Sequence, residues 1–411
     1  MKQLFIHCSN QVTQSALLED GILTEFAVER TEGASLIGNL YKGRVVNVLP
    51  GMQAAFVDIG LSKNAFLYVD DVLHPHLDKQ PKEKPPIGDL LKPGDELLVQ
   101  VMKEPLGGKG ARVTTHYSIP GRWLVYMPDA DYIGISKKIE QEQERSRLKG
   151  LAEAIREGTE GVILRTNAEG ESREALEEDL NGLRRVWRSI LERSKHARAP
   201  LELHRDTGLV GRMVRDVITP DTEQLFVDDE PLAEEAKSYL RQTAPALEGR
   251  VQLYREPKPL FEKFGIKEQL DKAFQSRIWL PSGGYLVWEQ TEALTVIDVN
   301  TGKYTGSVDL EETVFQTNGE AADEVARLLR LRDVGGIIII DFIDMETEEH
   351  RHQIAQRLET RIKRDRTKCQ LVGWTRLGLM ELTRKKAREN AMKYFYETCA
   401  ACRGSGKIYI R

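Results

Sequence analysis

Two short β-branched runs that each stop at an aspartate constrain this chain most. One is Thr295-Val296-Ile297-Asp298-Val299-Asn300, and the other is Ile337 to Ile340 leading into Asp341-Phe342-Ile343-Asp344-Met345. Runs this short and this apolar read as buried strands. Helical spacing occupies Glu320 to Leu331 between them and Glu348 to Arg366 after them, and a further strand is expected at Cys369 to Thr375. Strand, helix, strand, helix, strand predicts a layered α/β unit whose chemistry belongs at the strand ends. If the two strands are parallel neighbours, Asp298 and Asp341 stand side by side. The two-residue period of a strand puts Asn300 on the same face as Asp298.

Adjacent carboxylates repel unless one is protonated or a cation lies between them. Hard oxygen ligands with a nearby amide suit Mg²⁺ or Mn²⁺. Such an ion can activate a water and stabilise charge on a phosphodiester. Taken alone, each aspartate also reads as a cap on the segment that follows; the pairing is what points to chemistry.

Upstream, the pattern changes to short strands separated by glycine and proline. Gly38 to Val48, Gln53 to Gly60, Ala65 to Leu67, Glu96 to Lys103 and Ala111 to Thr115 predict a small β-barrel. His74 to Pro93, with five prolines, is expected to be a mobile loop. Lys42-Gly43, Ala54 through Gly60 and Ala65-Phe66-Leu67 resemble the S-one-type OB fold of many RNA-binding proteins. Phe56 and Phe66 are then candidate base-stacking surfaces, and Lys109 is a candidate phosphate contact. Spacing alone leaves both phenylalanines readable as barrel core. Gly107-Gly108-Lys109-Gly110 is not a P-loop, because Lys103 stands where its first glycine is required and Gly110 where Ser or Thr is. Alternating residues at Leu4 and Ile6 and again at Leu23 to Val28 suggest an N-terminal hairpin. Helices are expected at Glu140 to Glu157 and around Leu176 to Leu191, with a strand at Gly161 to Thr166.

At 411 residues, with 40% hydrophobic and 30% charged, the chain fits a soluble protein of several domains. No apolar run approaches the roughly 18–20 residues of a membrane helix. Four cysteines are too few for a disulfide framework, so a reducing cytoplasm is expected. The net charge is −5, but it is unevenly spread. Arg351 to Arg411 holds 16 basic and 5 acidic residues, against 43 and 59 in the first 350. A basic end on an acidic body suggests a polyanion partner, and a solvated basic helix is the competing reading. Within that end, His350, Ile354, Leu358 and Ile362 form a core face, and Arg357, Arg361, Arg364 and Lys368 line another.

Cys399-Ala400-Ala401-Cys402-Arg403-Gly404-Ser405-Gly406 reads as a zinc-knuckle-like turn. A redox CxxC competes, but that motif opens a helix after a strand, whereas this pair closes a basic helix. Structural zinc takes four ligands and one turn supplies two. Cys8 and Cys369 are lone strand residues, and His350 and His352 sit on the long helix. A two-fold axis where two chains each give Cys399 and Cys402 is the simplest completion.

Asp298-Val299-Asn300 and Gly335-Gly336 through Met345 resemble the catalytic motifs of the ribonuclease E/G family, and the likeness runs over essentially the whole chain. It implies a metal-dependent endoribonuclease in RNA processing and decay, ribosomal RNA included, cutting single-stranded RNA to give 5′-phosphate and 3′-hydroxyl ends. Asp298 and Asp341 would hold Mg²⁺, and Asn300 would orient Asp298 or the scissile phosphate. Gly121, Val125, Arg165 and Thr166 match the family's pocket for a 5′-monophosphate. The implied α+β architecture has an RNase H-like unit at 1–36 and 205–275, interrupted by an OB-fold at 37–117 and a 5′-sensor region at 118–204. A DNase I-like catalytic domain at 276–395 and a zinc-link at 396–411 follow. The resemblance also points to a zinc-shared homodimer and to higher assembly. Relatives usually continue past the cysteine pair into a further small domain, whereas this sequence ends at Arg411. A non-catalytic RNA-binding module or chaperone of the same fold is the alternative, disfavoured by the intact Asp298, Asn300 and Asp341. A DNA endonuclease is a second alternative, disfavoured by the barrel face.

Overall fold

The computed structural model describes residues 1–30, 35–74, 83–105, 108–291, 293–302, 310–385, 396–397 and 399–402. Part of the proline-rich loop (75–82), the segment 386–395 and Gly404-Ser405-Gly406 lie outside these residues. The chain is a mixed α/β protein of two compact units. One comprises Met1–Val28, Asp221–Ala233 and Arg250–Arg411; the other comprises Glu29–Pro220 and Glu234–Gly249.

The first unit contains two sheets. Its smaller sheet runs in the order Val251–Leu253, Thr222–Val227, Lys2–Ser9, Val12–Glu19, Ile22–Arg30. The N-terminal segment is thus a three-stranded meander rather than the two-stranded hairpin that the alternation suggests. The strand missing from that expectation, Val12–Glu19, buries Ser15, Ala16, Leu17 and Leu18 in succession. A strand covered on both faces has no polar alternation by which to reveal itself.

The larger sheet has six strands in the order Arg277–Trp279, Tyr285–Gln290, Leu294–Asn300, Gly336–Asp341, Met380–Arg384, Cys369–Trp374. Its centre is the parallel pair Leu294–Asn300 and Gly336–Asp341, and every other pairing is antiparallel. Thr295, Ile297 and Val299 point to one face with Ile338 and Ile340, and all five are buried. That face is covered by the helix Leu310–Leu331, whose inward stripe includes Val314, Ala321, Ala322, Val325, Leu328 and Leu329. Each fully buried Leu or Ile there contributes roughly 1.5–3 kcal/mol over leaving it exposed. The helix Glu348–Ile362 packs through Ile354, Leu358 and Ile362, as its spacing requires. Its basic stripe is partly structural. Arg357 and Arg361 both fork onto Asp323 of the neighbouring helix, at 2.8–3.1 Å.

In the second unit, Leu40–Leu49, Ala54–Asp58, Ala65–Tyr68, Arg112–Thr114 and Glu96–Lys103 follow one another around a sheet that closes where Leu40–Leu49 pairs with Glu96–Lys103. The barrel core is Val45, Ala55, Val57, Ala65, Leu67, Val99, Val101 and Val113 with their neighbours. Lys42 donates from Nζ to the carbonyls of Ser194 and Ala197, satisfying the carboxyl end of the helix Arg173–His196. A four-stranded sheet, in the order Ile133–Ile135, Gly161–Leu164, Leu124–Met127, Ile119–Pro120, packs with that helix and with Glu142–Ile155 into a separate core.

Candidate functional site

The parallel register sets Asp298 directly opposite Asp341 on the face of the six-stranded sheet away from the helices. Asn300 donates from Nδ2 to Asp298 Oδ2 at 2.8 Å, so the two residues that share a strand face also share a hydrogen bond. Together with Val299, Thr301, Phe342, Ile343 and Asp344 they line an open cleft of about 330 Å³. Burial, with the charges of Asp298 and Asp344 added, raises the Asp341 pKa above the ordinary carboxylate value. The carboxylates of Asp298, Asp341 and Asp344 thus concentrate negative charge at this cleft.

Asp344 stands in the second motif, yet only the folded turn brings it to the cleft. The turn is held from behind by Asn318, fully buried on the helix Leu310–Leu331. Its Nδ2 donates to the Ile343 carbonyl at 2.8 Å and its Oδ1 accepts from the Ile343 N–H at 3.1 Å. From the same helix, Glu311 accepts from the Glu346 N–H at 3.0 Å and meets His350 Nδ1 at 2.6 Å. Sequence reasoning missed both residues. A buried Asn in a helical stripe is the one signal that could have marked Asn318. His350, expected on an apolar face, is instead half-buried, stacked on Phe315 and paired with Glu311.

The residue types fit a hard divalent cation: two carboxylates on adjacent strands, one amide, and room for water. Among the described residues no three His, Cys, Asp or Glu side chains converge as a metal-binding group. Mg²⁺ commonly uses one or two carboxylates and keeps several waters, and two carboxylates are what the adjacent strands supply.

On the barrel, Phe56 and Phe66 are direct cross-strand partners with ring centroids 6.0 Å apart in an edge-to-face arrangement. Both are half-exposed on the outer surface, and the core reading of them is set aside. Lys109 is exposed, three residues before Arg112, the cross-strand partner of Phe66. Gly110 lies so close to the Asn64–Ala65 backbone that a Cβ would come within 1.9 Å of the Asn64 carbonyl oxygen. Only glycine allows the segment carrying Lys109 to run against the strand carrying Phe66.

In the four-stranded sheet, Val125 pairs with Ile163, and the Arg165 N–H donates to the Trp123 carbonyl. Arg165 donates from Nη1 to the Gly121 carbonyl at 2.6 Å, and its Nη2 lies 2.7 Å from Asp216 Oδ1. Gly121 sits over Asp179, which accepts from the N–H groups of Arg122, Trp123 and Leu124. Burial holds the Asp179 pKa above its ordinary value. Burial would also raise Asp216, but the guanidiniums of Arg165 and Arg215 outweigh it and hold Asp216 low. The exposed Thr166 hydroxyl is 2.8 Å from that of Ser136, a partner no sequence pattern announced. Gly121, Val125, Arg165 and Thr166, scattered over 45 residues, thus come together at one end of one sheet.

Cys399 is exposed and Cys402 half-buried. The N–H groups of Cys402 and Ala401, with the Cys402 thiol, lower the Cys399 pKa and favour its thiolate. Cys8 and Cys369 lie in strands as expected, both half-buried.

The model of the Ribonuclease E/G family matches residues 118–387. The chain is 43% identical to Ribonuclease G of Haemophilus influenzae and 40% identical to that of Escherichia coli K12, each match covering 99% of this chain and 84% of the relative. It is also 40% identical to Ribonuclease E of a Nostoc species, over 98% of this chain and 58% of that protein. The chain belongs to the ribonuclease E/G family, as the motifs at Asp298 and Asp341 suggested.

Proposed function

We propose that this chain is an endoribonuclease of RNA processing and decay that hydrolyses single-stranded RNA with a divalent cation, leaving 5′-phosphate and 3′-hydroxyl ends. The observation that carries the reading is the in-register pair Asp298 and Asp341, with Asn300 bonded to Asp298, in a chain of this family. Asp298 and Asp341 would hold Mg²⁺ or Mn²⁺. When bound, the cation supplies charge that activates a water and offsets charge growing on the phosphodiester. Asn300 fixes the Asp298 rotamer through its amide. Asn318 and Glu311 fix the loop that carries Asp344.

The reading extends to the rest of the chain. The barrel is an OB-fold in which Phe56 and Phe66 stack bases and Lys109 meets phosphate. Arg165 and Thr166, with Gly121 and Val125, receive a 5′-monophosphate. The first unit combines an RNase H-like part with a DNase I-like catalytic part, and the protein acts in the cytoplasm. Among the described residues no helix is long and apolar enough to cross a membrane. Cleavage of single-stranded RNA bearing 5′-monophosphate or 5′-hydroxyl ends, with and without Mg²⁺, tests the whole. Mg²⁺-dependent cutting that is faster on the monophosphate is expected. No cutting under any condition would leave the RNA-chaperone reading.

Cys399 and Cys402 supply two thiolates where structural zinc needs four, and a dimer sharing one zinc follows. Metal analysis should return about half a zinc per chain. Chelator or Cys399→Ser should lower the mass measured by light scattering. One zinc per chain, with mass unchanged on chelation, would overturn the shared site.

A further inference from the structure

The sheet face that carries the carboxylates continues past them. Antiparallel register sets Trp279, Tyr285 and Asn300 in one cross-strand row. Arg277, Val287, Asp298 and Asp341 form the next row. Side chains in such rows share a face, so Arg277, Trp279 and Tyr285 stand on the side of the acidic cleft. Tyr285 is one strand from Asn300, and Trp279 is two strands away, about 10 Å at ordinary strand spacing.

Three planar groups are gathered there. The Trp279 and Tyr285 rings have centroids 5.3 Å apart with planes tilted by 60°, and Arg277 Cζ lies 4.6 Å above the Tyr285 ring. Trp279 is 58% exposed, whereas Trp123, Trp187 and Trp288 are buried. The Leu280–Gly284 turn that joins the two strands is firmly held. Leu280 N–H donates to the Gly284 carbonyl at 2.8 Å, and Ser282 N–H donates to Glu320 of the covering helix at 2.9 Å. A Cβ on Gly284 would lie 2.9 Å from the Asn300 carbonyl oxygen, so the turn abuts the strand of the cleft. An exposed indole on a rigid support, with a guanidinium beside it and a phosphodiester-type cleft one row away, has the chemistry that takes a nucleobase.

We infer that Trp279 and Tyr285, with Arg277, stack a base of single-stranded RNA next to the scissile phosphate and so position the backbone over Asp298 and Asp341. The inference rests on the ribonuclease reading for its substrate. Stacking on a π-face is tolerant of base identity, so the contact sets position and not sequence. These are positioning residues, and their signature is in KM.

The test uses the full chain with Mg²⁺ and a single-stranded RNA cut at one position, with a single abasic residue walked through the nucleotides on either side of it. Trp279→Ala should raise KM for intact RNA about ten-fold with kcat little changed, and Trp279→Phe should restore most of the loss. One flanking abasic position should raise the wild-type KM equally and have no further effect in Trp279→Ala. An unchanged KM, or additive losses from the variant and the abasic residue, overturns the inference while leaving the ribonuclease reading intact. A second readout does not need turnover. In Asp298→Asn the RNA should quench tryptophan fluorescence, and the added Trp279→Phe change should remove that quenching. If the unsubstituted chain cuts no RNA yet this quenching is seen, stacking stands and the nuclease reading falls. If quenching is the same with and without Trp279, stacking is overturned. A Trp279→Ala change that alters mass in solution but not RNA affinity also overturns it, marking the face as a self-association surface.

Discussion

Replacing Asp298 or Asp341 with Asn is expected to reduce Mg²⁺-dependent cleavage of single-stranded RNA by more than about 100-fold, beyond the 10–100-fold that loss of an outer-shell partner costs. The substitution is nearly isosteric, so the hydrogen bond from Asn300 and the parallel register can survive it while half of the anionic donor set disappears. RNA affinity should change little, because the barrel residues Phe56, Phe66 and Lys109 belong to the other compact unit. The two variants should also differ in stability in a defined sense. Asp341 is raised in the folded protein by burial and by Asp298 and Asp344, so its ionisation works against folding. A group raised in this way disfavours the folded state as pH climbs past its unfolded pKa. Asp341→Asn should therefore raise the melting temperature slightly at neutral pH, and that gain should vanish in acid. Cleavage by either variant at the wild-type rate would remove the cation site from the account.

Arg165→Ala is expected to erase the preference for 5′-monophosphate over 5′-hydroxyl RNA. Losing one charge-assisted contact of this kind costs about 1.5–3 kcal/mol, or roughly 10- to 150-fold in the monophosphate-dependent rate. The guanidinium does not wait idle, since it already bridges the Gly121 carbonyl and Asp216. Its removal leaves Asp216 to Arg215 alone, so melting temperature should be measured alongside. Arg165→Lys keeps the charge but not the planar fork, and an intermediate preference is expected. If hydroxyl- and monophosphate-ended RNA lose rate equally, Arg165 serves the fold and not the terminal phosphate.

Local chemistry made part of this protein legible. The β-branched runs at Thr295 and Ile337 encode buried strands without help from distant residues, and the two-residue period alone places Asn300 with Asp298. The spacing of Ile354, Leu358 and Ile362 likewise fixes the inward face of its helix. Tertiary structure decided the rest, because register between strands far apart in sequence is not a property of either strand. Asp298 faces Asp341 only because the parallel register sets Leu294 opposite Ile337 and carries that alignment to the two carboxylates. The stripe of Arg357 and Arg361 read as a basic face, solvated or turned to a polyanion, and Asp323 on another helix claims both. Phe56 and Phe66 alternate like core residues, and only closure of the barrel turned them outward. Val12–Glu19 stayed hidden because burial on both faces removes alternation. Ser136 and Trp279 left no motif at all, and Asn318 only an amide in a helical stripe, since each acquires its part through a neighbour that the chain supplies from elsewhere.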